Sequence, residues 1–204
     1  AAIVMEQIAG NDPLDATTVG DAVPNYSDEV SEKIKGMRIG VPREYFPAKG
    51  GPASGGEFTL DDEVRKITEQ QIAKLKKLGC KIEEVSLPHT KYAIAVYYII
   101  VPSEDSSNLG RMDGIRYGVR LKGENLYDLY AGSRAQGFPE EVKRRILIGT
   151  YALSAGYYDA YYKKAQTVRT LIKKDFEDVF KKVDALITPT SPFPAFGIGE
   201  KKDD

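Results

Sequence analysis

The chain has very little of three residue types that often carry chemistry: one cysteine, one histidine and no tryptophan in 204 residues. A single cysteine, Cys80, excludes an internal disulfide bond and fits a reducing compartment. His89 is the single histidine, so the other ligands of a metal site would all have to be carboxylates. The sequence shows no cluster of carboxylates around it. We therefore expect neither a disulfide framework nor a bound metal.

Long apolar runs and an excess of charge are also missing. No apolar run reaches the ~18 residues that a membrane-spanning helix needs, and Ala1–Gly10 lacks the basic flank of a signal peptide. The net charge of −1, with 29% charged residues, is ordinary for a soluble globular protein and gives no basic surface for nucleic acid. These features predict a cytoplasmic protein without membrane contact. Ala1–Ile8 has the pattern of a helix end with no methionine start, so we expect a piece of a larger protein.

The first half of the chain has the pattern of a strand, a helix and a second strand. Arg38–Val41 is a short apolar run, and Lys81–Leu87 is a second strand candidate. Between them a helix is predicted to begin at Thr59, which forms a capping-box-like pair with Asp62. This order predicts a βαβ unit with parallel strands over residues 36–88.

The second half is predicted to be mainly helical. The apolar stretch 91–103 favours a buried helix, although a strand fits it too, and 111–137 is expected to be irregular. A helical pattern runs from Pro139 to about residue 182, with breaks expected near Gly149 and Gly156. A core-facing stripe on it consists of Tyr161, Ala165, Val168, Ile172, Phe176 and Val179.

Together these patterns predict an α/β fold with a mixed sheet, a βαβ unit and flanking long helices. Residues 1–204 are expected to form one piece of a domain. Within it we distinguish the βαβ unit at 36–88, a mainly helical part at 89–182 and a closing strand at 183–196.

Neither the histidine nor the cysteine has the surroundings of a catalytic group. His89 has no Gly-x-Ser-x-Gly elbow with it, so a loop histidine bonded to the backbone is favoured over a catalytic one. Cys80 follows a predicted helix C-terminus, which disfavours the thiolate, so a packing role is favoured. The glycine-rich segment 50–56 lacks the Gly-Lys-Ser/Thr ending of a phosphate-binding loop, which favours a flexible connector.

A basic triplet at 143–145 directly precedes the apolar run 146–148. At least one of Arg144 and Arg145 is therefore expected to point inward, where a guanidinium needs an anion or a carbonyl partner. The residues favour an internal ion pair and leave a ligand contact open. Paired lysines are expected on the solvated surface and paired tyrosines in the core: Lys163–Lys164, Lys173–Lys174 and Lys181–Lys182, and Tyr97–Tyr98, Tyr157–Tyr158 and Tyr161–Tyr162.

Six stretches in order along the chain resemble the A subunits of glutamyl-tRNA(Gln) amidotransferases, which belong to the amidase signature family. The first and last are widely shared among amidase signature enzymes, and those from Tyr92 to Tyr162 are typical of the tRNA-dependent subunits. The stretches are Ala9–Asp15, Arg38–Phe46, Lys91–Ile100, Asp113–Gly118, Glu141–Ile146 leading into Gly156–Tyr162, and Asp184–Thr190.

The resemblance implies a role in binding glutamine and not in the bond-breaking step. In that family a lysine and two serines hydrolyse the side-chain amide, and all three would lie before Ala1, so no catalytic residue is expected in this chain. Arg145 matches the arginine that grips the substrate's α-carboxylate, and a guanidinium fork suits that planar anion. Tyr97 matches a tyrosine that lines the same pocket. The acidic partner for the α-amino group would lie beyond Asp204.

The resemblance also implies an assembly. Its A subunit releases ammonia from glutamine, its B subunit uses ATP and Mg²⁺ to convert Glu-tRNA(Gln) to Gln-tRNA(Gln), and its small C subunit braces the pair. This chain would bind no cofactor itself. Two alternatives remain open at this point: a fragment of another amidase signature hydrolase, and a non-catalytic scaffold domain.

The sequence departs from the family pattern in two places. Pro47–Thr59 stand where the family commonly passes from Arg-Glu-Tyr-Phe to the next helix in a few residues. Asp105 stands where an alanine is common.

Overall fold

The computed structural model describes residues 1–30, 34–47 and 59–200. The glycine-rich segment 50–56 lies outside the described residues. The helices are α1 (Ala2–Ile8), α2 (Tyr26–Glu29), α3 (Asp62–Lys77), α4 (Ala93–Leu109), α5 (Leu126–Gly137), α6 (Glu140–Leu153) and α7 (Lys164–Phe180). The strands are β1 (Arg38–Pro42), β2 (Lys81–Val85) and β3 (Ala185–Leu186), and a π-helical turn, Asp159–Lys163, precedes α7.

The three strands form a parallel sheet in the order β2-β1-β3. Ile39 of β1 lies opposite Ile82 of β2 and Ala185 of β3. The elements β1, α3 and β2 make the predicted βαβ unit, so the α/β class is confirmed. The mixed sheet is not seen, because all three strands in the described part of the chain are parallel.

Helix α3 begins at Asp62, three residues after Thr59, where it was predicted to begin. Asp61 is its N-cap, and its carboxylate accepts hydrogen bonds from the N–H groups of Glu63 and Val64 at 2.8 and 3.2 Å. The prediction that Thr59 caps this helix is therefore wrong, because the Asp61 carboxylate takes the free N–H groups. At the other end Gly79 has a φ of 93°, the left-handed conformation that commonly ends a helix.

The main apolar cluster lies between the sheet and α7. Val85 is the last residue of β2 and Leu87 lies two residues after it, and both pack with Val179 and Val183 around the end of α7. Val179 and Ala165 belong to the predicted stripe on this helix, and both are buried. The cluster therefore fixes α7 against the end of the sheet.

Helices α4 and α6 cross at very close range. A Cβ atom on Gly149 of α6 would lie 1.8 Å from the carbonyl oxygen of Pro102 in α4, so only glycine fits there. Next to this point the hydroxyls of Ser106 and Thr150 are hydrogen-bonded at 2.7 Å. Gly149 therefore does not break α6 as predicted, and the break comes around Gly156, which has a φ of 88°.

Helix α5 occupies a region that was predicted to be irregular. Asn125 caps it: the side-chain oxygen accepts from the N–H of Asp128 at 3.0 Å, and the side-chain amide donates to the Asp128 carboxylate at 2.7 Å. The prediction for 111–137 is thus wrong from Leu126 onward, because this local cap outweighs the low helix propensity of the glycines. The proposed division into 36–88, 89–182 and 183–196 stays a prediction.

Within the described residues, no helix combines the length and the hydropathy that a membrane crossing requires.

Candidate functional site

Arg145 lies in the second turn of α6. Pro139 precedes the helix, and Glu140 and Glu141 fill its first turn, where acidic side chains interact favourably with the helix dipole. One turn separates Glu141 from Arg145, so the two side chains share a face of the helix. The helix start therefore sets both the position of the guanidinium and the acid beside it.

The crossing of α4 and α6 brings Tyr97 to Arg145. The backbones of α4 and α6 touch where Pro102 meets Gly149. Tyr97 lies before Pro102 on α4, and Arg145 lies before Gly149 on α6. The Nη1 atom of Arg145 donates to the Tyr97 hydroxyl at 3.5 Å, the outer limit of a hydrogen bond. Two residues that are 48 positions apart in sequence, each singled out from the sequence, are therefore neighbours.

The Arg145 guanidinium is held at two of its three nitrogen atoms. Its Nε donates to Oε1 of Glu141 at 3.1 Å, and its Nη1 contacts Tyr97. The hydrogen bond with Glu141, with the nearby Tyr97 hydroxyl as a second cause, raises the pKa of Arg145 above its ordinary value. The Nη2 atom has no partner among the described residues, so one edge of the fork can bind a ligand.

Neither arginine of the basic triplet is buried. The side chain of Arg145 is 38% exposed and that of Arg144 is 66% exposed. The expectation that one of them points inward is wrong, since α6 presents both to the surface. The favoured ion pair does exist, but its acid, Glu141, is 54% exposed, so it is not internal.

The paired tyrosines are also less buried than predicted. Tyr97, Tyr98, Tyr157, Tyr158 and Tyr161 are all more than two-fifths exposed. The lysines behave as expected, since several make exposed ion pairs with acids one turn away on their own helices: Lys163 with Asp159, Lys173 with Glu177, and Lys181 with Asp178.

His89 and Cys80 lie apart from this site. The backbone N–H of His89 donates to Asp175 at 2.9 Å, and its Nδ1 lies 3.0 Å from the same carboxylate. The predicted backbone partner is therefore wrong, because the side chain pairs with an acid of α7 instead. Cys80 is buried, and its thiol donates to the carbonyl of Ile34 at 3.4 Å, which fits a packing role.

An apolar groove on the molecule lies apart from the arginine. A groove of about 620 Å³ lies between α4 and α7, with Tyr92, Val96, Tyr161 and Val168 among its walls, and neither Arg145 nor Tyr97 lines it. The described residues bring together no group of three or more metal-ligating side chains.

Glu141 is the residue that the sequence reasoning missed. It was assigned only to the first helical turn, although its spacing of four residues from Arg145 and three from Arg144 is typical of a helix ion pair. The structure shows both pairs, at 3.1 Å each. The spacing was sufficient to predict this contact.

A comparison with known protein families finds that the Amidase family matches residues 1–204. The chain is 57% identical to the glutamyl-tRNA(Gln) amidotransferase A subunit of Koribacter versatilis and 53% identical to the protein of the same name of Moorella thermoacetica. Both matches cover 100% of this chain, which spans only 41% and 40% of the length of those relatives.

Solved structures show the same relationship. The crystal structure of the glutamyl-tRNA(Gln) amidotransferase A subunit from Thermotoga maritima superposes with a TM-score of 0.64 at 40% identity, covering 100% of this chain and 37% of that one. A bacterial aryl acylamidase of the amidase signature family has a TM-score of 0.56 at 16% identity, covering 97% of this chain and 37% of that one, and shares the fold alone.

Proposed function

The chain belongs to the amidase family, and on that basis we propose that it is part of the glutaminase subunit of a tRNA-dependent amidotransferase. The complete subunit would hydrolyse the side-chain amide of glutamine, and the ammonia would convert Glu-tRNA(Gln) to Gln-tRNA(Gln). This chain contributes part of the glutamine-binding wall. By the family resemblance, the lysine and the two serines that cleave the amide are not within this chain.

The observation that carries this proposal is the contact between Arg145 and Tyr97. The two residues that match the family's glutamine-binding positions are distant in sequence and adjacent in space. The unpaired Nη2 edge of Arg145 supplies the donors that a planar carboxylate needs. Tyr97 would form the wall beside the bound amino acid.

We further propose that the complete subunit works in the cytoplasm with two partners, the B and C subunits of the amidotransferase. The B subunit would bind ATP and Mg²⁺ and make most of the contact with Glu-tRNA(Gln), and the small C subunit would brace the pair. The net charge of −1 suits a chain that leaves RNA binding to a neighbour.

Kinetics of the full-length subunit in its complex test the role of Arg145. Arg145→Ala should raise KM for glutamine about 10- to 100-fold, because hydrogen bonds to a charged group contribute about 1.5–3 kcal/mol. Arg145→Lys should give a smaller rise, because it keeps the charge and loses the fork. Hydrolysis of a small primary amide without a carboxylate is the control, and its KM should not change.

An equal loss for both substrates would mean that Arg145 supports the fold of the site and does not bind the carboxylate. An unchanged KM for glutamine in Arg145→Ala would refute the assignment of the site.

A further inference from the structure

The carboxylate of Glu141 is shared between two guanidinium groups. Its Oε1 accepts from Nε of Arg145 at 3.1 Å, and its Oε2 lies 3.1 Å from Nη1 of Arg144. Arg144 and Arg145 lie three and four residues after Glu141, so one turn of α6 brings all three charges together. Each oxygen of the carboxylate therefore has its own arginine.

This arrangement determines which edge of Arg145 is left for a ligand. A guanidinium can bind a carboxylate through its Nε and one Nη, or through both Nη atoms. Glu141 occupies Nε, so the first geometry is blocked. The remaining edge, formed by Nη1 and Nη2, carries only the 3.5 Å contact with Tyr97.

The arrangement also reduces the entropy lost on binding. A free arginine side chain has many rotamers, and ordering it costs up to about 2 kcal/mol. Glu141 holds the base of the guanidinium before the ligand arrives, and Arg144 holds Glu141. Binding to a group that is already ordered loses less conformational entropy.

We propose that Glu141 is a positioning residue for the glutamine site: it is anchored by Arg144, and it directs the Nη1–Nη2 edge of Arg145 toward the α-carboxylate of the substrate. This proposal rests on the proposed function. Glu141 does not touch the substrate, and it acts through Arg145 alone. The α-carboxylate of the substrate would approach the guanidinium end-on, through Nη1 and Nη2. It would either replace the weak contact between Nη1 and Tyr97 or bind Nη1 together with Tyr97.

Steady-state kinetics of the full-length subunit in its complex test this role, with Glu141→Gln as the variant. We expect KM for glutamine to rise about two- to five-fold, the size associated with losing an exposed ion pair. The turnover number kcat should stay unchanged, because the contact is equally strong in the ground state and the transition state. Hydrolysis of a primary amide without a carboxylate should not change.

Glu140→Gln is the matched control. It removes the same charge from the same turn of α6, and among the described residues Glu140 forms no ion pair with Arg144 or Arg145. It should leave KM for glutamine at the wild-type value. A second check is the double variant Glu141→Gln, Arg145→Ala, whose KM should equal that of Arg145→Ala alone.

The outcomes separate this proposal from the proposed function. If Arg145→Ala raises KM for glutamine and Glu141→Gln does not, the site stands and the positioning role is wrong. A lower KM in Glu141→Gln would also overturn it, since Glu141 would then be a competitor of the substrate. If Glu141→Gln still changes KM for glutamine in a protein that already carries Arg145→Ala, Glu141 does not act through Arg145 and the positioning role is wrong. If Arg145→Ala itself has no effect, the proposed function fails first.

Discussion

At the scale of single residues, Arg38 and Asp184 join the first and last strands of the sheet. The backbone N–H of Arg38 donates to the Asp184 carboxylate at 2.8 Å, and its guanidinium donates to the same group. These bonds from Arg38 lower the pKa of Asp184 below its ordinary value of 3.8. The pair lies at the start of the short strand β3, next to the buried Val183, and the backbone N–H of Asp184 also donates to the carbonyl of Arg38 at 2.8 Å.

This pair predicts a pH dependence of stability. Because the pKa of Asp184 is lower in the folded state, its contribution is complete above the ordinary pKa of the unfolded chain and is lost as the pH falls through the folded value. Asp184→Asn should therefore unfold more easily than the wild type at neutral pH. The difference should shrink below about pH 4. Urea unfolding at several pH values measures it, and a constant difference down to low pH would contradict the assignment.

Predictions from the sequence were right for some single residues and wrong for others. The resemblance selected Arg145 and Tyr97, and the fold brings them together. The burial of the Arg145 side chain was overestimated. The apolar run that follows it suggested burial, but burial depends on which side of α6 faces α4. His89 was assigned a backbone partner because Asp175, 86 residues away, cannot be paired with it from sequence.

At the scale of elements, the crossing of α4 and α6 determines the geometry of the site. The backbones meet at Gly149 and Pro102, and the contact between Arg145 and Tyr97 follows from that meeting. Helix α4 continues through Pro102, which is buried at this contact. A larger residue at position 149 must push the helices apart.

Gly149→Ala is therefore expected to destabilise the full-length subunit. The added Cβ would lie 1.8 Å from the carbonyl oxygen of Pro102. Overpacking of this kind costs about 1–3 kcal/mol or more. Calorimetry should show a lower Tm, and KM for glutamine should rise as Tyr97 moves away from Arg145.

Gly132→Ala in α5 is the control. Its Cβ would meet only Leu121 Cδ1, at 3.6 Å, which is ordinary contact. In a helix interior this change should raise stability by about 0.4–1 kcal/mol. Equal effects of the two substitutions on Tm would show that the crossing is not tight at Gly149.

Elements with local signals were predicted well, and elements set by tertiary contacts were not. The start of α6 at Pro139 and the end of α3 at Gly79 follow from capping chemistry that the sequence displays. The break expected at Gly149 does not occur, and α6 continues through this residue. A glycine is needed there because α4 packs too closely for a side chain. Helix α5 was missed, although the spacing of Asn125 and Asp128 was a sufficient cap signal.

At the scale of the whole molecule, the chain leaves much apolar surface uncovered. Exposed large side chains occur on α1, α4, α6 and the last described residues, among them Ile3, Ile8, Tyr98, Leu147 and Ile198. The chain spans 41% of the length of its relative from Koribacter versatilis. We interpret this surface as the part that packs against the remainder of the subunit.

The isolated 204-residue chain is expected to release no ammonia from glutamine. By the family resemblance, the lysine and the serines that cleave the amide are not within it, and a binding arginine alone cannot break the bond. An ammonia assay on the purified chain measures this. Hydrolysis that a serine-directed reagent abolishes would contradict the expectation.

The most direct test of the role of Arg145 is a crystal structure of the full-length subunit with glutamine bound. We expect both oxygens of the ligand's α-carboxylate to lie about 2.7–2.9 Å from Nη1 and Nη2 of Arg145. Glu141 should remain on Nε, and the ring of Tyr97 should lie beside the ligand. A carboxylate bound by other residues, with Arg145 still paired only to Glu141 and Tyr97, would contradict it.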